Sequence, residues 1–157
     1  RGIASQPLHT SPSTNLGRGA SRADTHGVTH VLVADDEADI RDLVTFTLEA
    51  VGFRVTAVPD GAAALALLEH GRIDAVVLDN SMPLMTGLEV LEALSALPAR
   101  ERPPLLMISA MAARSDVDRA KRAGADDFLP KPFEMRVLAR RVRALVEQRA
   151  AGVGVPV

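Results

Sequence analysis

The stretch Ile73–Gly87 reads IDAVVLDNSMPLMTG: an apolar run that stops abruptly at Asp79, with a Met-Pro pair after two more residues. A short apolar run bounded by turn formers suits a buried strand, so this strand carries a carboxylate at its C-terminal tip. An aspartate there either begins a turn or carries chemistry, and the stretch alone leaves both open.

Working outward, the same unit recurs on both sides. From Thr29, THVLVA is a short apolar run. DDEADIRDLVTFTLEAVG follows, with Ile40, Leu43, Val44, Phe46, Thr47 and Leu48 on one helical face and Gly52 placed to stop the helix. FRVTAV alternates like a strand, Pro59-Asp60-Gly61 punctuates, and AAALALLEHG predicts a second helix ended by Gly71. DAVVLD leads to LEVLEALSAL, a third helix that stops before Pro98. PPLLMISA, ARSDVDRAKRAG, ADDFLP and FEMRVLARRVRALVEQ supply a fourth strand, a fourth helix, a short fifth strand and a final amphipathic helix. Five strand–helix alternations with short connections predict an α/β fold, a doubly wound parallel sheet covered by helices on both faces. Such sheets bind ligands at the carboxyl ends of their strands, which puts Asp79 on the functional edge.

The 157 residues, 47% hydrophobic, suit one domain with a real core. A net charge of -2 gives no field to gather nucleic acid, and four Phe without Trp or Tyr leave no stacking platform for single strands. The lack of Cys removes disulfides, thiolate catalysis and Cys-based zinc sites. His9, His26, His30 and His70 are too scattered for a His-rich metal centre. No run approaches the roughly 20 apolar residues of a membrane span, and no signal-peptide core is present, so a cytoplasmic domain without membrane contact is expected. Residues 1–27, rich in Ser, Thr, Gly and Pro, read as a flexible tail, a linker or a cloning remnant. Residues 28–149 form the expected domain and 150–157 a C-terminal tail. The Arg start favours a fragment or a processed chain.

Polar groups at four strand ends would converge on one edge. Asp35 and Asp36, with Glu37 next, follow the first strand; Asp79 ends the third; Ser109 in MISA ends the fourth; Lys131 in LPKP follows the fifth. Adjacent acids facing a third would repel strongly if dry, so a positive group belongs among them. Oxygen-only ligands suit a hard divalent cation. Mg²⁺ (magnesium) keeps waters and takes one or two carboxylates plus a phosphate oxygen, which fits so sparse a set. Lys131 adds a point charge for an acid or a phosphoryl group, and Ser109 a hydroxyl donor. Each residue also has an ordinary reading: acids capping the first helix, Ser109 beginning a turn, Lys131 solvated in a loop. Their joint placement at the ends of different strands is what those readings leave unexplained.

Together, VLVADDE, VVLDNSMPLMTG, MISA and GADDFLPKPF resemble, in order and spacing, the receiver domain of bacterial two-component response regulators, over about Val28–Gln148. The resemblance implies a flavodoxin-like (βα)5 fold with strand order 2-1-3-4-5. It implies Asp79 as phosphoacceptor, attacking a phosphohistidine on a sensor histidine kinase. It further implies Asp36 and Asp79 as carboxylate ligands of Mg²⁺, Ser81 as a ligand through its backbone carbonyl, and Asp35 acting through a water. Ser109 would hydrogen-bond the phosphoryl group and Lys131 would pair with it. Phosphoryl transfer needs in-line positioning and neutralised oxygens, which agrees. On phosphorylation Ser109 would draw in the loop after the fourth strand and Phe128 would turn into the vacated space, switching the face of helix four, strand five and helix five. Phe128 reads equally as a core residue. Lys131-Pro132 resembles the family's cis step. The chain so read is a signalling receiver that assists its own phosphorylation and dephosphorylation, not an enzyme.

GADDF and LARRVRAL look most like receivers that head winged-helix transcription factors, which dimerise through that face by charge pairs. Asp126 and Asp127 match the acidic side and Arg141 a basic partner. Val117 and Val137 stand where one opposite-charge pair is expected. Arg122 and Arg143, both basic, stand where a second would be, which weakens the electrostatic case for that dimer. The expected partners are the kinase, a second copy through this face, and a downstream protein or a DNA-binding domain outside this chain. Direct nucleic-acid binding is not expected, since the Arg-rich final helix reads as a solvated face. No G-x-x-x-x-G-K-[ST] occurs, which argues against an ATPase, and Ser81 stands where a dehalogenase-type phosphatase needs its second acid. The remaining alternative is a phosphorylation-independent interaction module on the same fold.

Overall fold

Five parallel strands run side by side in the order β2-β1-β3-β4-β5 in the computed structural model, which describes residues 27–152. They are β1 (His30–Ala34), β2 (Arg54–Val58), β3 (Ala75–Asp79), β4 (Leu105–Ser109) and β5 (Asp127–Pro130). The helices between and after them are α1 (Ala38–Ala50), α2 (Gly61–His70), α3 (Gly87–Leu94), α4 (Arg114–Ala123) and α5 (Met135–Ala150). The expected α/β fold, strand order included, is the one found. The 1–27 tail (save Gly27), His9, His26 and the last five residues of the C-terminal tail lie outside the described residues. No described helix is long and apolar enough to cross a membrane.

Every residue of β3 and β4 is buried, as strands covered on both faces require. One face packs under α2, α3 and α4, where Leu68, Val90, Leu91, Leu94 and Ala120 meet Leu32, Leu78 and Met107. The other packs under α1 and α5, where Val44, Leu48, Leu138, Val142 and Leu145 meet Val33, Val77 and Ile108. The α1 stripe is narrower than the sequence pattern suggested. Ile40, Val44 and Leu48, four residues apart, face the core, whereas Leu43 is 48% and Phe46 71% exposed. A helix lying on a sheet with one helical neighbour buries a single i, i+4 ridge, and residues between its steps turn outward.

Register decides what reaches the C-terminal edge. Ala34 pairs with Leu78, which sets Asp35 level with Asp79; Asp79 pairs with Ile108, and Ser109 with Pro130. Asp35, Asp79, Ser109 and Lys131 therefore leave the sheet within about two residue steps of one another. The β3–α3 connection must pass close beneath, which Gly87 permits: a Cβ there would lie 2.7 Å from the Asp79 carbonyl oxygen and 2.9 Å from Asn80 Cα. Thr86 then caps α3 by accepting from the Glu89 N–H, and its hydroxyl donates back to the Glu89 carboxylate.

Two element boundaries differ from the sequence pattern. β5 begins at Asp127 rather than Ala125, because the Asp126 carboxylate turns back to accept from the Leu105 N–H at 2.8 Å and fastens the α4–β5 joint. α3 ends at Leu94, and Ala99–Glu101 form a short 3-10 turn before β4.

Candidate functional site

Burial separates two adjacent acids at the tip of β1. Asp35 is fully buried, while Asp36 is exposed. The Asp35 carboxylate accepts from the Glu37 N–H (2.9 Å) and from Lys131 Nζ (3.3 Å). Capping does not explain this arrangement, because Glu37 holds the N-cap of α1 and makes no side-chain cap bond.

Asp79, 2% exposed, ends β3 between these groups. One carboxylate oxygen faces the Ser81 N–H at 3.4 Å and the other lies 3.6 Å from Lys131 Nζ. Asp35, Asp36 and Asp79 each bring an oxygen within 4.8 Å of the others. Lys131 is the ammonium shared by Asp35, Asp79 and Glu37, the last at 3.4 Å. Burial raises the Asp79 pKa from 3.8 to about 6; the Asp35 charge adds to the rise and Lys131 opposes it. For Lys131, burial disfavours the ammonium, but the Asp79 and Asp35 carboxylates outweigh it and hold the group above its ordinary value. One cation among four acids leaves negative charge uncompensated. An all-oxygen set with one exposed member fits a hard divalent cation, so Asp35, Asp36 and Asp79 are the side chains able to hold one.

Ser109 and Lys131 leave β4 and β5 side by side, with the Lys131 N–H donating to the Ser109 carbonyl at 2.8 Å. The Lys131–Pro132 peptide is cis, as the resemblance implied. Ser109 is 1% exposed, and its hydroxyl oxygen accepts from the Met111 N–H at 3.0 Å, which ties it to its own loop. Phe128 points inward among Leu105, Met107 and Ala120 as a core residue. It also borders a small cleft of about 40 Å³ with Asn80, Leu88, Met107 and Met111, beneath the β4–α4 loop.

The residues assigned to a dimer face are engaged within the chain. Arg141 Nη1 donates to both Asp127 oxygens (2.9 and 3.1 Å), because α5 runs back past the start of β5. Asp126 holds the Leu105 N–H. Val117 and Val137 are half-buried on opposite sides of the sheet, and Arg143 donates to the Val51 carbonyl and sits over Phe53.

Arg41 and Asn80 escaped sequence reasoning, and Glu37 was noted beside Asp35 and Asp36 without a role. Glu37 shares Lys131, Arg41 Nη1 donates to the Asp35 carbonyl at 2.8 Å, and Asn80 Oδ1 accepts from the Leu88 N–H at 3.0 Å, fixing the start of α3. Glu37 was visible as the third acid of a triplet. Nothing in the spacing of Arg41 or Asn80 announces these contacts.

Comparison with known proteins agrees with this geometry. The family model described as "Response regulator receiver domain" matches residues 31–143. The transcriptional regulatory protein PrrA of Mycobacterium tuberculosis is 39% identical over 127 residues, covering 80% of this chain and 54% of that protein. The chain thus spans about half the length of the curated relatives it matches. Among solved structures, the Francisella response regulator 1452 receiver domain superimposes with a TM-score of 0.73 at 30% identity, over 77% of this chain and 98% of that one. The receiver domain of the sensor histidine kinase PA1611 from Pseudomonas aeruginosa, solved with a magnesium ion in its active-site cleft, gives 0.69 at 28% identity, over 76% and 98%. Sheet order, the acid cluster with its lysine, and these likenesses converge: the chain belongs to the response regulator receiver domain family.

Proposed function

We propose that this chain is the phosphoacceptor of a two-component system, taking a phosphoryl group on Asp79 from the phosphohistidine of a sensor histidine kinase. The observation that carries this reading is Asp79 itself, buried at a strand tip and 3.6 Å from Lys131. With a pKa of about 6 it is mostly ionised at neutral pH and therefore nucleophilic. A carboxylate oxygen attacks phosphorus, the bond from phosphorus to the histidine nitrogen breaks, and the leaving imidazole keeps the electron pair and takes up a proton. The product is an acyl phosphate.

Lys131 offsets the charge of the arriving phosphoryl oxygens, and Ser109 donates its hydroxyl proton to one of them. Asp36 and Asp79 with the Ser81 carbonyl, and Asp35 through a water, would hold Mg²⁺, which when bound neutralises phosphoryl oxygens; the magnesium-bound PA1611 receiver supports this. Ser109 now spends its acceptor capacity on the Met111 N–H. Reorienting it toward the phosphoryl group shifts that loop, and with it α4, β5 and Phe128, so the face of α4, β5 and α5 carries the output. The output acts on a downstream protein, a second copy, or a DNA-binding domain outside this chain; the transcriptional role in the name of PrrA supports the last. The setting is cytoplasmic, and the role is that of a signalling receiver rather than a turnover enzyme.

Intact-mass measurement tests this after incubation with acetyl phosphate and Mg²⁺, and separately with a phosphorylated histidine kinase. One phosphoryl adduct on the parent, absent from Asp79→Asn and lost in EDTA, is expected. An unmodified parent with both donors, or an adduct that survives in Asp79→Asn, would overturn the assignment.

A further inference from the structure

At the end of the sheet opposite Asp79, a cleft of about 330 Å³ opens between the 3-10 turn before β4, the α4–β5 joint and the last turns of α5. Its volume is at the low end of the roughly 300–1,000 Å³ typical of small-molecule sites. Its charged lining consists of Arg102, Lys121 and Arg149 against one carboxylate, Asp126. That carboxylate accepts from the Leu105 N–H. Among the described residues none of the three cations forms an ion pair. A second cleft of about 160 Å³ adjoins, sharing Arg102 and Arg149 and adding Arg100 together with the carboxylates of Asp74 and Glu101.

Ordinary roles account for part of this cluster. Lys121 lies in the last turn of α4, whose carbonyl end attracts cations. Arg149 donates to the Ala99 and Arg102 carbonyls, which pins its guanidinium at the rim. Neither role explains Arg102. Its Nε is buried and has no hydrogen-bond partner among the described residues, although a buried guanidinium nitrogen ordinarily finds one. Two arginines and a lysine line this cleft against the single carboxylate of Asp126, and the excess positive charge suits a counter-anion. Guanidinium forks match phosphate oxygens two at a time.

We propose that this cleft binds a small phosphate-bearing anion of pyrophosphate-like charge through Arg102, Arg149 and Lys121. The site is separate from Asp79 and requires no divalent cation.

Calorimetric titration of the full chain with pyrophosphate, in EDTA and at fixed ionic strength, tests the proposal. One saturable site is expected on the parent and on Asp79→Asn alike. Arg102→Gln and the exposed Lys121→Gln should each weaken binding about tenfold or more. If circular dichroism finds Arg102→Gln unfolded, Lys121→Gln decides. No saturable heat up to millimolar pyrophosphate, equal affinity in parent and folded variants, or loss of binding in Asp79→Asn would each overturn the site.

Discussion

Removing the charge of Asp79 should make the protein more stable. A carboxylate whose pKa rises from 3.8 unfolded to about 6 folded binds its proton more tightly in the native state. The native state therefore carries extra protons between those values, and stability falls as pH rises through that window. Above the window the penalty is constant: about 2.2 pKa units at 1.36 kcal/mol each, or about 3 kcal/mol. The opposing effect of Lys131 is already included in that shift. Asp79→Asn keeps the shape and an oxygen for the Ser81 N–H but carries no charge, so in EDTA at pH 8 it should exceed the parent by about 3 kcal/mol. That advantage should shrink to about 1.6 kcal/mol at pH 5 and below about 0.5 kcal/mol near pH 3.8. Paired urea unfolding curves at these pH values measure it, because the other titrating groups cancel in the difference. Saturating Mg²⁺ should narrow the gap at pH 8 by stabilising the parent selectively. A mutant no more stable than the parent at pH 8, or a gap that does not change with pH, would refute the picture of Asp79 as a buried acid held charged against its environment.

Other residues give independent tests. Lys131→Ala removes the neighbour that lowers the Asp79 pKa, so NMR titration of the Asp79 carboxylate should find it above about 6; an unchanged or lower value would contradict the pairing. Gly87→Ala forces a Cβ against backbone atoms of Asp79 and Asn80 that cannot swing away, with an expected loss of about 1–3 kcal/mol in urea unfolding. Thr86→Ala deletes the α3 cap and should lower stability by about 1 kcal/mol by the same measurement. Arg141→Ala breaks a partly exposed ion pair and should cost at most about 1 kcal/mol, less in high salt.

Much of the site was legible because parallel sheets impose a simple geometry. Short apolar runs in a parallel sheet that end in polar groups must deliver those groups to one edge, so Asp35, Asp79, Ser109 and Lys131 could be grouped before any contact was known. The roles of their neighbours were not legible. Arg41 and Asn80 act through single bonds to the Asp35 carbonyl and the Leu88 N–H, and such bonds leave no periodicity in a sequence. Phe46 looked like a core residue because an apolar side chain at helical spacing normally is one, but α1 buries a single ridge and leaves it outside.

The sequence by itself determined the alternation of strands and helices, the C-terminal edge as the place of chemistry, and the acidic oxygen-rich character of that place. These follow from hydrophobic period and residue type, which are local. Tertiary structure alone decided that Asp35 is buried while adjacent Asp36 is exposed. It decided that one ammonium, 96 residues along the chain from Asp35, is shared by Asp35, Asp79 and Glu37. It also spent Asp127 and Arg141 on each other within one chain. The physical reason is that burial and charge compensation belong to the register of strands and the return path of helices. A carboxylate acquires its pKa from what the fold sets around it, and neighbours in sequence need not share that environment.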